Sequence, residues 1–312
     1  MSNERNYVRK PLEEMDVIDD FLFTELVTDE RKGLEVCRII LSRVLKREVG
    51  EISYEAQKLV PGVSESSHGI RLDVYIREER EPSEDNKTDI NVYDIEPDNR
   101  SAKKKWLPRR SRYYGSLIDS KLLKSNVNYD KLPDLVTIFI LSYDPFGAGD
   151  MYYEAGTLLK THPEIPYNDG IRRIYLYVGG KLPENAGEDD RKLQDLLKYI
   201  GKSTSDNVVD EKIETLDNIV KETKADQNVG VRYMKSWEWE RELREEGREE
   251  GRMEERENTE VERKRADKAE KEQAKAEKEK GKAEKEKAKA EARAERAETE
   301  LAKYKAKFGE MA

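Results

Sequence analysis

HGIRLDVYIRE (68–78), TDINVYDIEPDNR (88–100) and WLPRRSRYYGSLID (106–119) are the stretches on which the fold turns. In the first, Ile70, Leu72, Val74 and Ile76 alternate with Arg71, Asp73, Tyr75 and Arg77. That is the period of a half-buried strand with one apolar face. The second carries a strand from Ile90 to Ile95, stopped by Pro97. The loop between them, 78–88, is very polar and turns the chain back. The third opens a helix at Leu107 with Pro108 in its first turn. Tyr114, Leu117, Ile118, Lys121 and Leu122 share one face of it; Arg109, Arg112, Tyr113, Ser116 and Ser120 share another. Asp73 and Glu96 then stand on neighbouring strands about 4.8 Å apart. Two carboxylates so placed can share one Mg²⁺, which polarises a phosphodiester and activates water. Asp94 and Asp98, two residues to either side of Glu96, share its side of the strand and can add oxygen ligands.

Around this centre the chain reads as α/β. Val17, Ile18, Phe21, Leu22 and Leu26 recur at helical spacing as far as Thr28. Asp29 caps a second helix whose stripe is Leu34, Cys37, Ile40, Leu41, Val44 and Leu45. A strand from Ile52 to Val60 makes the first of three in an antiparallel meander. After the helix at Leu107, LPDLVTIFILSY (132–143) is apolar throughout, as suits a strand buried on both faces. The chain then reads as irregular up to a strand at 171–178, followed by helices over 188–201 and 206–224. The order is α-α-β-β-β-α-β, with one more strand and two helices.

Charge divides the chain into a body, 1–225, and an arm, 226–312. Residues 236–312 hold 22 Lys+Arg and 24 Asp+Glu, leaving 37 and 44 of the totals of 59 and 68 before them. An acidic body argues against indiscriminate nucleic-acid binding and leaves local basic patches as candidates. Lys103, Lys104, Lys105, Arg109, Arg110 and Arg112 form such a patch, able to hold phosphates without reading sequence. A basic run in a loop is also commonly just solvated. The arm contains REEGREEGR (244–252) and, from Lys268, sevens such as KAEKEQA and KAEKEKG. Glu272/Lys275, Glu279/Lys282 and Glu286/Lys289 support a solvated helix. Alanine in place of Leu, Ile or Val argues against a strong coiled coil, though self-association through the Ala-spaced face stands as the alternative.

A single cysteine, Cys37, excludes an internal disulfide, and with only His68 and His162 there is no Cys/His zinc set. Cys37 reads as core and His68 as structural. Gly147-Ala-Gly149 and Gly179-Gly180 lack the Lys-Ser/Thr of a phosphate loop and read as turns. With no apolar signal segment at the N-terminus and no run near the roughly 20 apolar residues of a membrane span, the expected location is cytoplasmic.

These residues, in this order, resemble the PD-(D/E)XK nuclease superfamily, and within it the Rpn family of recombination-promoting nucleases and transposases. The matching residues are Asp20-Phe21 with Phe23, Arg71-Leu-Asp73, Tyr93-Asp-Ile-Glu96 and RRSRYYGSLID. Tyr129 with Leu132-Pro133, and Tyr143-Asp144-Pro145-Phe146, complete the match over roughly 15–180. The resemblance implies a restriction-endonuclease-like α-β-β-β-α-β core and a Mg²⁺- or Mn²⁺-dependent DNA endonuclease, linked to transposition or recombination. Asp73 and Glu96 are the implied metal ligands. Lys103, Lys104, Lys105, Arg109, Arg110 and Tyr113 are the expected DNA contacts. The sequence departs from the family at Asp98, where lysine or glutamine is usual. Either another cation, Arg112 or Arg109 by helix position, stabilises the developing phosphorane charge, or this copy is a catalytically silent DNA-binding or oligomerising derivative.

Overall fold

A computed structural model of the chain describes residues 10–62, 68–79, 90–123 and 125–309. Most of the 78–88 loop and the start of the N-terminal arm lie outside the described residues. The chain divides into two compact units, Met1–Lys235 and Ser236–Ala312.

The first unit is α/β. Helices α1 (Asp20–Thr28) and α2 (Glu30–Leu45) precede β1 (Ile52–Val60), β2 (Ile70–Glu79) and β3 (Ile90–Asp98). Helix α3 (Leu107–Leu122) crosses to β4 (Asp134–Leu141), and β5 (Tyr152–Ala155), β6 (Ile171–Tyr177), α4 (Glu188–Gly201) and α5 (Glu211–Ala225) follow. The six strands form one mixed sheet, ordered β1-β2-β3-β4-β6-β5. The first three pair antiparallel, β4 is parallel to β3 and β6, and β5 is antiparallel to β6. Parallel pairing at β4 follows from the α3 crossover, and seven of its eight residues are buried. Asp29 caps α2, its carboxylate accepting the Lys32 N–H at 3.0 Å.

Local sequence misplaces three details. Ile70, Leu72, Val74 and Ile76 do not share one face: Ile70 and Leu72 pack on the α3 side with Tyr75, whereas Val74 and Ile76 join the core against α1 and α2. The face changes at Asp73, opposite Gln57, whose φ is 52°. A left-handed residue in an edge strand breaks the two-residue alternation. Pro97 does not end β3, which runs on to Asp98 beside β4. The β2–β3 ladder has already stopped at Val74–Ile95, so that side has no ladder bonds left to lose. The four-residue β5, expected as irregular chain, is too short to show a period and is held by its pairing with β6.

The larger core lies on the sheet face covered by α1, α2, α4 and α5; α3 covers the other. Helix α6 (Gln227–Phe308) contributes its first turns to this unit, where Val229 and Tyr233 pack with Leu12, Met15 and Phe21. In the second unit the helix is exposed almost throughout. Ion pairs along it include Glu240–Arg244, Glu260–Lys264 and Lys287–Glu291, all at i,i+4. No helix among the described residues is long and apolar enough to cross a membrane.

Candidate active site

Along β3 the side chains obey the strand period. Tyr93 and Ile95 enter the larger core, and Asp94, Glu96 and Asp98 turn to the α3 side. All three acids are buried, at 0–1% exposure. Burying a charge without a partner is costly enough to neutralise the group instead, so the neighbours of these acids decide their state.

Glu96 meets the broken stretch of β2. Where the ladder stops, the main-chain N–H of Asp73 donates to Glu96 Oε1 at 2.9 Å. The other oxygen, Oε2, accepts from Arg110 Nη2 at 2.5 Å, and Nη1 of the same guanidinium donates to Asp98 Oδ2 at 2.7 Å. Asp98 Oδ1 takes the Arg100 main-chain N–H at 2.8 Å and its Nε at 3.3 Å. Arg110 lies over the rings of Tyr114 and Phe139, 5.1 and 5.4 Å from their centroids. The Asp73 carboxylate accepts from Gln57 Nε2 at 3.2 Å, and that amide also reaches Thr24 Oγ1 at 3.5 Å. The kink at Gln57 thus turns its amide toward the acids.

Gln57, Asp73, Glu96, Asp98, Arg100 and Arg110 line a cavity of about 580 Å³, together with Asp20, Thr24, His68, Arg71, Trp106, Tyr113 and Tyr114. Burial, then the Asp73 charge, push the Glu96 carboxyl up to about 8, against the pull of Arg110 and the Asp73 N–H. Burial also raises Asp73, opposed by the Gln57 hydrogen bond and by Arg110, Arg100 and Arg71. Asp20 is raised by burial, with Arg100 pulling it down and Asp73 and Asp98 pushing it up. Asp94 is raised well above the carboxylate range by burial, then by Glu96 and Asp73. Neither Asp94 oxygen meets a donor among the described residues; as the neutral acid it becomes a donor itself, with Glu96 as the adjacent acceptor. For Arg110, burial opposes the charge, but Glu96, Tyr114 and Asp98 outweigh it and hold the guanidinium protonated.

The structure redistributes the expected roles. Asp73, Glu96 and Asp98 gather at the cavity, but Arg112, expected to supply the cation there, is exposed and outside its lining. At about 100° per residue, a helix turns Arg112 some 200° away from Arg110. Arg110, expected to touch DNA, sits in register with Leu107 and Tyr114 and is drawn onto the acids. Arg109, Lys104 and Lys105 are exposed, and the Lys105 ammonium lies 5.2 Å from the centre of the Trp106 ring. The Lys103 side chain lies outside the described residues. Tyr113 lines the cavity mouth and its hydroxyl donates to the His68 carbonyl. Asp20, Gln57, Arg100 and Trp106 had no assigned part. Arg100, two residues beyond Asp98, carried a local signal; Gln57 carried none.

Carboxylate oxygens are the right donors for Mg²⁺ or Mn²⁺, but their arrangement does not fit such an ion. Among the described residues no group of three or more Asp, Glu, His or Cys is arranged to hold a metal. Both oxygens of Glu96 and both of Asp98 are engaged, and a guanidinium lies between the two side chains. Comparison with protein-family models, with curated proteins and with solved structures gave no match to this chain.

Proposed function

We propose that this cavity processes phosphodiesters and that the chain is a DNA endonuclease of the restriction-endonuclease-like, PD-(D/E)XK type. The observation that carries the reading is the meeting of Asp73 and Glu96, from consecutive strands, beneath a cationic helix. The resemblance in residue order adds the link to transposition or recombination. A carboxyl near 8, like that of Glu96, changes protonation close to neutral pH and suits proton transfer to and from a reacting oxygen. Arg100 and Arg110 carry N–H donors in the forked geometry that recognises phosphate. Lys104, Lys105 and Arg109 would position the backbone outside, and the half-exposed Trp106 and Tyr113 offer rings at the mouth.

The second reading, a DNA-binding derivative that does not cut, is favoured by Asp98 in the usual lysine position and by the pairing of Arg110 with both acids. Nicking of supercoiled DNA in EDTA, Mg²⁺ and Mn²⁺ separates the two. Cleavage that falls at least about a hundredfold in Asp73→Ala and Glu96→Ala, the scale of removing a group that acts in the transition state, supports the enzyme. DNA retention without cleavage in every condition supports the silent binder.

A further inference from the structure

Two buried carboxylates side by side need a counter-charge, and the sequence predicts a divalent ion between Asp73 and Glu96, with Asp98 as an added ligand. The structure instead places one guanidinium across them, with Arg110 Nη2 on Glu96 and Nη1 on Asp98 at 2.5 and 2.7 Å. We propose that Arg110 is the resident cation of this cluster, taking the seat of a metal, so that a divalent ion enters at Glu96 and Asp98 only when Arg110 is removed. The inference goes beyond the endonuclease reading and holds whether or not the chain cuts DNA.

Three independent features support it. Every oxygen of the pair already has a donor: with Arg110 on one oxygen of each acid, the Asp73 N–H holds the second oxygen of Glu96 and Arg100 the second oxygen of Asp98. An ion would have to displace a partner rather than fill a gap. Arg110 is also anchored, since its plane lies over Tyr114 and Phe139. The helix bearing it is fixed by buried Leu107, Leu117 and Ile118 and by the 2.8 Å contact between Ser111 Oγ and the Tyr175 hydroxyl. Finally, the fork of an arginine spans two carboxylates and keeps its charge at any working pH. A strongly hydrated Mg²⁺ demands near-octahedral oxygen geometry and gives up water reluctantly.

The test uses the full chain and Mn²⁺ alone as the probe. Free Mn²⁺ is followed by its paramagnetic resonance signal, and thermal denaturation is run in EDTA and in excess Mn²⁺. For the wild type we expect no Glu96-dependent Mn²⁺ binding and the same denaturation midpoint in both solutions. Arg110→Ala leaves buried Glu96 without a cation and Asp98 with Arg100 alone, so its midpoint should fall by on the order of 10 °C in EDTA. Mn²⁺ should restore at least half of that loss, and the rescue should vanish in Arg110→Ala/Glu96→Gln. If Arg110→Ala does not fold, Arg110→Gln, neutral but similar in shape, takes its place. Wild-type Mn²⁺ binding that Glu96→Gln abolishes would overturn the proposal, as would an Arg110 variant indifferent to Mn²⁺. Neither readout depends on cleavage, so failure here and failure of the endonuclease reading are separable.

Discussion

Glu78 on β2 and Glu96 on β3 are both 1% exposed, yet they end at opposite extremes. Burial pushes each upward. At Glu78 it is outweighed by Arg47, whose Nη1 and Nη2 reach both oxygens at 2.6 Å, by the Tyr93 hydroxyl at 2.6 Å and by the Gly50 N–H at 3.0 Å. The Glu78 carboxyl therefore falls to about 2. At Glu96 burial and the Asp73 charge outweigh an arginine that is shared with Asp98, so it rises. Removing the counter-charge in Arg47→Ala should cost about 3 kcal/mol at neutral pH, measured by urea denaturation. The Glu78 contribution is present above its unfolded value near 4.5 and is lost as pH falls toward 2, so the penalty should shrink in acid. Asp119 carries the opposite sign. Burial, only partly offset by Arg173, lifts it to about 6, so its contribution is present below its unfolded 3.8 and lost as pH rises through 6. Asp119→Asn should match the wild type near pH 4 and exceed it by about 1 kcal/mol above pH 7, after allowance for solvent screening.

Helix propensity favours alanine at two glycines, and the surroundings decide each. Gly115 lies in the interior of α3, where an added Cβ would meet Leu135 Cδ2 at 3.6 Å, an ordinary contact. Gly115→Ala should therefore stabilise the fold by about 0.5–1 kcal/mol, read as a raised denaturation midpoint. Gly33 in α2 has the Val27 carbonyl at 2.6 Å from such a carbon, and the Tyr54 hydroxyl is closer still. Gly33→Ala should destabilise by about 1–3 kcal/mol despite the same gain in propensity. Helices α1 and α2, ahead of β1, were legible from their 3.6-residue stripes, and the start of α3 follows from Leu107-Pro108. The change of face within β2 was not legible, because it originates in the backbone of Gln57 on another strand. A two-residue pattern says which residues alternate but cannot say where a neighbour breaks the alternation.

Across the whole chain, the acidic first unit and the near-neutral helical second unit are each internally bonded. Deleting 236–312 leaves Val229 and Tyr233 in their contacts with Leu12 and Phe21, so the denaturation midpoint of the remainder should stay within about 2 °C of the full chain. Sedimentation of the two forms tests self-association through the arm. With alanine rather than leucine at the spaced positions, the expected change in mass per particle is that of the deleted segment alone. A larger drop would assign oligomerisation to the arm.

By itself, the sequence determined the element order apart from β5, the mixed α/β character, and the placement of Asp94, Glu96 and Asp98 on one side of a strand. Each of these is written in periods of two or 3.6 residues and needs no distant partner. The tertiary structure alone decided which cation reaches the acids, why Gln57 turns toward Asp73, and why one buried glutamate is pulled down while another is pushed up. Those outcomes depend on groups 12 to 31 residues apart in the chain that packing brings within 3 Å or so. In a low-dielectric interior, the partner at that distance sets the charge.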